Sequence, residues 1–153
     1  CMPCGCRRDP ISTPNISATR EALRALLREA KTVAVVGLSA DPARPSYAVA
    51  GYLRKAGYRI VPVNPNVAAV LGERSYPSLK AAATEHTIDV VDVFRRSEFA
   101  GRVVDEAIAL RPRLIWLQQG VVDHAAAARA AAAGIPCVMD RCLAVDHQLL
   151  GVA

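Results

Sequence analysis

Thr32-Val33-Ala34-Val35-Val36-Gly37-Leu38-Ser39 is the stretch that decides the fold. A β-branched, apolar run enters a glycine without polar alternation, so it reads as a strand covered on both faces. The same pattern returns at 58–63, 88–94, 114–118 and 136–139. Between these runs the apolar spacing changes to that of a helix, at 46–56, 78–85, 97–110 and 123–133. Gly57 and Gly134 stand where two of those helices must stop, as left-handed C-terminal caps. Strands alternating with helices predict an α/β protein. The expected architecture is a Rossmann-like, doubly wound, parallel five-stranded sheet in the order 3-2-1-4-5, with helices on both faces. In such a sheet, ligands bind at the carboxyl ends of the strands, where the winding reverses.

The rest of the chain sets bounds on this picture. Its 153 residues suit one domain. Residues 1–18 are proline-rich and lack apolar pattern, so they read as a flexible N-terminal tail, with a single domain over 19–153. That domain opens on a helix at 19–30 capped by Ser17 or Thr19. A hydrophobic content of 52% against 22% charged residues argues against disorder. No apolar run is long enough to span a bilayer, and no signal-peptide pattern is visible, so the expected location is cytoplasmic. Of the net charge of +5, residues 1–31 carry +3, which leaves the body nearly balanced. With only 5% aromatic residues, the basic-and-aromatic stripe of a nucleic-acid binder is missing. Cys1, Cys4 and Cys6 have no fourth ligand or paired motif near them, so no metal is expected. A homodimer remains open.

The loops at the carboxyl ends carry the chemistry. The first, from Gly37 to Tyr47, combines a glycine that lets the backbone approach a ligand with a helix start at Pro45 and Ser46. Free N–H groups at that start, with Arg44 beside them, form an anion site, so a phosphate-bearing ligand follows. The dinucleotide fingerprint G-x-G-x-x-G is absent, because Ser39 and Pro42 occupy its later glycine positions. The acidic residue that would grip a ribose is also absent, since Val63 and Asn64 end the second strand. An NAD(P)-dependent oxidoreductase using the same crevice is the alternative. Elsewhere, Trp116 and Cys137 read as core and Asp92 as a residue that orients a loop. His86 and His124 read as solvated helix ends, and His147 as a surface residue.

Several of these runs together resemble one family. Val35-Val36-Gly37-Leu38-Ser39, Arg44-Pro45-Ser46, Val63-Asn64-Pro65, Val91-Asp92-Val93-Phe94-Arg95, Trp116-Leu117-Gln118-Gln119-Gly120 and Asp140-Arg141-Cys142-Leu143 look like the small stand-alone CoA-binding proteins. These are relatives of the CoA-binding domain of succinyl-CoA synthetase-type ligases. The resemblance covers about residues 23–150 and implies bound coenzyme A, free or acylated. It implies that the backbone of Gly37, Leu38 and Ser39 faces the diphosphate, near Pro45, Ser46 and Tyr47, and that Arg44 neutralises phosphate. It places Asn64 and Pro65 at the adenosine, and Phe94 and Arg95 beside the nucleotide or the start of pantetheine. Gln119 and Gly120 fall along pantetheine, with Cys142 near the thiol. The ligases' phosphohistidine domain has no counterpart here, so the expected role is a binding or regulatory protein without its own catalysis. A CoA-binding subunit of an acyl-CoA ligase or transferase, acting with a partner chain, is a further alternative.

Overall fold

A computed structural model describes residues 19–152. Residues 1–18, which the sequence reading expects to form a flexible tail, and their three cysteines lie outside the described residues. The chain runs α1 (Arg20–Glu29), β1 (Thr32–Val36), α2 (Pro45–Lys55), β2 (Arg59–Val63), β3 (Ala69–Val70), β4 (Glu73–Arg74), α3 (Leu79–Ala83), β5 (Val90–Val93), α4 (Ser97–Leu110), β6 (Leu114–Leu117), α5 (His124–Ala132), β7 (Cys137–Val138) and α6 (Leu143–Leu150). Short polar side chains start three of the helices. Thr19, Ser78 and Asp123 each accept a hydrogen bond from a first-turn N–H of α1, α3 and α5. Gly57 and Gly134 take positive φ after α2 and α5, as the cap reading requires.

The five long runs form one parallel sheet in the order β2-β1-β5-β6-β7. The Rossmann-like, doubly wound class therefore holds, but the order 3-2-1-4-5 does not. The third long strand lies beside the first, on the far side from the second. Two residues explain this. Pro62 lacks the N–H that a central strand needs on both flanks, so β2 belongs at an edge. Asp89, just before β5, accepts from the backbone N–H groups of Lys31 and Thr32 and pins the third run against the first. The β3–β4 hairpin, which the sequence pattern did not announce, follows β2, and Tyr76 N–H donates to the Pro62 carbonyl. At the other edge, β7 has only two residues, too short to template pairing with another chain.

The sheet divides the core in two. Helices α3, α4 and α5 bury Leu79, Val104 and Ala130 with Val91, Val93 and Ile115 on one face. Helices α1, α2 and α6 bury Leu27, Leu53 and Leu143 with Val35, Val90 and Trp116 on the other. As expected, Trp116 and Cys137 are buried, and burial pushes the Cys137 thiol up to about 12. The Trp116 indole donates to the Arg141 carbonyl, which ties β6 to the loop entering α6.

Candidate functional site

Because the order reverses between β1 and β5, their carboxyl ends open a gap at the centre of the sheet. Two adjoining clefts meet there, of about 810 and 530 Å3. Gly37, Arg44, Phe94, Arg95 and Arg96 line both and form a waist between them. The larger cleft extends past Asn64 and Pro65 toward α3 and the outer face of α4. The smaller runs beneath α2 and α6, past Ser39, Pro45, Ser46, Gln119, Gly120 and Cys142. Twelve of the fourteen candidate residues thus converge on one trough, counted over both linings. Leu38 and Tyr47 line neither cleft: Leu38 is fully buried in the core and half-buried Tyr47 packs against it.

The amide cradle expected from the first loop is largely spoken for. Gly37 N–H donates to the Val63 carbonyl, Ser39 N–H to Ser46 Oγ, and Gly120 N–H to Asp140 Oδ1. Ser46 sits inside the first turn of α2 rather than capping it, and its hydroxyl braces the loop. Further bonds within the loop, Asp41 N–H to Ser39 Oγ and Ala43 N–H to Asp41 Oδ1, fix its path. Asn64 likewise holds the loop, donating through Nδ2 to the Leu38 carbonyl at 2.9 Å. Gly37 has φ 87°, and a Cβ there would lie 2.6 Å from the Phe94 carbonyl oxygen. What this glycine admits closely is the end of the neighbouring strand.

Anion-binding capacity comes instead from helix starts and arginines. The N-caps of α2, α4 and α6 are Arg44, Arg96 and Cys142; none makes a side-chain capping bond, and all three line the trough. At α2 and α4 the first turn directs partial positive charge at whatever sits before it, whereas at α6 the Leu143 N–H is already taken by Gln118 Oε1. Arg44, Arg95, Arg96 and Arg102 line the clefts, and none forms an ion pair among the described residues. Arg59, Arg74, Arg113, Arg129 and Arg141, which do find carboxylates, line neither cleft. The Arg95 guanidinium stacks over the Phe99 ring at 4.9 Å, which holds it at the waist.

Sequence reasoning missed Phe99, Arg102 and Glu106 on α4, and gave no ligand role to Arg96, the N-cap of α4, or to Gln118, just after β6. The α4 residues 99, 102, 103 and 106 share one helical face, a spacing readable in the sequence once α4 is known to wall the crevice. Gln118 is 4% exposed, and its Oε1 accepts from Leu143 N–H at 3.0 Å, which positions the start of α6 and with it Cys142. Behind that start, Arg141 forms a bidentate pair with Asp146, a carboxylate only 1% exposed.

Two expectations outside the clefts are corrected. Asp92 orients no loop. It is fully buried between Val35 and Trp116 in the sheet register, and neither carboxyl oxygen has a hydrogen-bond partner. Burial pushes its pKa well above the usual carboxylate range. His147 is not a surface residue. It is 3% exposed, its Nδ1 lies 2.8 Å from the Tyr52 hydroxyl, and its ring packs edge-on to Tyr52 and Tyr58. Burial lowers its pKa. Nor is His86 merely solvated, since its Nε2 contacts the Tyr76 hydroxyl at 3.1 Å. Among the described residues no group of three or more His, Cys, Asp or Glu is placed to hold a metal. None of their helices is long and apolar enough to cross a membrane.

A five-stranded parallel sheet with a basic trough at its switch point places the chain in the Rossmann-like α/β class. Within that class, residues 31–148 match the CoA-binding domain, and the chain belongs to that family. It is 37% identical to the uncharacterized protein YneT of Bacillus subtilis (strain 168), over 84% of this chain and 94% of that one. Of solved structures, Prb, the PH1109 protein redesigned for binding, superposes with a TM-score of 0.84 at 36% identity, covering 92% of this chain and 97% of that one. A Thermus thermophilus protein superposes with a TM-score of 0.81 at 41% identity, covering 87% and 99%.

Proposed function

We propose that this protein binds coenzyme A or an acyl-CoA non-covalently, as a stand-alone binding or regulatory protein with no catalysis of its own. The observation that carries this reading is the concentration of unpaired arginines, with the uncapped starts of α2 and α4, along one elongated trough. Coenzyme A is itself elongated and unevenly charged, with a phosphorylated nucleotide at one end and a neutral amide chain ending in a thiol at the other. The trough has the same polarity. Arg102 lies in the larger cleft, whereas the smaller one adds Gln119, Gly120 and Cys142. Arg44, Arg95 and Arg96, with the first turns of α2 and α4, would take the diphosphate at the waist. Asn64 and Pro65 would line the adenosine, and Gln119, Gly120 and Cys142 the pantetheine arm.

Titration calorimetry with CoA, dephospho-CoA and NAD tests the reading. CoA is expected to bind tightest and NAD weakly; tight NAD binding with weak CoA binding would reverse the assignment to an oxidoreductase. Arg44→Ala is expected to weaken CoA about tenfold, or about 1.4 kcal/mol. It should also flatten the dependence on salt. An unchanged affinity would show that the diphosphate does not sit at the waist.

A further inference from the structure

Helix α4 presents one arginine in a position unlike the rest. Arg44 and Arg96 line both clefts, and Arg95 is stacked on Phe99. Arg102 lines the larger cleft alone, six residues beyond the N-cap of α4, about 9 Å along the helix axis from the waist. That offset is on the scale of one nucleoside. Glu106 follows one turn later on the same helical face and lines the same cleft, yet no ion pair joins it to Arg102 among the described residues. Among the described residues it is the one carboxylate facing either cleft, and a dianion placed there meets an attractive charge and a repulsive one.

We infer that Arg102 and Glu106 together set the selectivity of the larger cleft for a phosphate monoester on the nucleoside end of the ligand. Arg102 attracts the dianion, and Glu106 limits how tightly it is held. This rests on the reading of the trough as a CoA site, in which the 3′-phosphate is that monoester. The pair acts on one group only, so its signature is a change in the ratio of affinities for CoA and dephospho-CoA. Arg102→Gln lowers the ratio at least threefold, with affinity for dephospho-CoA nearly unchanged. Glu106→Gln raises it, because the repulsion is removed while the cation stays. Both side chains are exposed on a well-packed helix, so the variants should fold.

The experiment is calorimetry of wild type, Arg102→Gln and Glu106→Gln with CoA and dephospho-CoA at fixed, low ionic strength, with melting curves for each protein. Opposite shifts of the ratio in the two variants support the inference. A ratio unmoved by either variant, or equal loss of both ligands in Arg102→Gln, overturns it while leaving the CoA reading intact. A wild-type protein that binds neither ligand overturns both.

Discussion

Asp92 offers a direct test of how completely the sheet seals its interior. The carboxyl is fully buried and neither oxygen has a partner, so ionising it in the fold is strongly disfavoured. Its folded-state pKa is raised well above the unfolded value. The folded protein therefore holds a proton that the unfolded chain releases. The associated stability is fully present below the unfolded carboxylate pKa of about 4. It is lost as pH rises toward the folded-state value, at up to about 1.4 kcal/mol per pH unit. Asp92→Asn keeps the shape and removes the titration. The variant should therefore gain on wild type by about 1.4 kcal/mol for each pH unit above about 5, until the folded-state pKa is passed. Urea unfolding at pH 5, 6, 7 and 8 under constant ionic strength measures this difference. Other titrating groups, His147 among them, are common to both proteins and cancel. With a urea slope of about 1–3 kcal/mol/M, each pH unit should separate the midpoints by about 0.5–1.4 M. A difference that stays constant from pH 5 to 8 would refute the reasoning, because it would mean that Asp92 reaches water or a partner.

Two further substitutions probe the frame of the site. Gly37→Ala places a methyl group 2.6 Å from the Phe94 carbonyl in a left-handed backbone. It should cost more than the 1–2 kcal/mol of the backbone conformation alone, roughly 3 kcal/mol or more; a thermal melt within a degree or two of wild type would contradict this. Asp146→Asn strips the partly exposed Arg141 of its buried carboxylate partner and should cost roughly 2–4 kcal/mol in chemical unfolding. It should also loosen the start of α6 at Cys142, read as faster alkylation of that thiol; alkylation at the wild-type rate would count against this coupling.

The alternation of apolar runs and helices, the caps at Thr19, Gly57 and Gly134 and the loops at the carboxyl ends were readable, because each is a local consequence of side-chain chemistry. Strand order is not local. Pro62 did carry the signal for an edge strand, but as one residue in an apolar run it is easily read as part of a central one. The β3–β4 hairpin was hidden for a different reason. Its turn places Leu71 and Gly72 at φ 54° and 76°, where the readable signal would be Asn-Gly. Of the residues lining the two clefts, those on loops next to strand ends were named from the sequence, whereas Arg102 and Glu106 were not. They lie well into α4, and only the packing of that helix beside β5 brings them to the larger cleft. Asp92 and His147 were misjudged because polarity suggests a hydrogen-bonding role for the one and solvent for the other, while their depth is set by neighbours distant in sequence. The bonds that occupy Gly37, Ser39 and Gly120 were equally invisible.

The Phe94 carbonyl pressed into the space beside Gly37 has a bearing on how such proteins diversify. A floor in which two main chains touch leaves no room for a side chain to be exchanged, so mutation has little to work on there. Novel preferences must be written on the banks of the groove, above all along the fourth helix. Libraries aimed at new cargo would do best to randomise that wall and leave the floor alone.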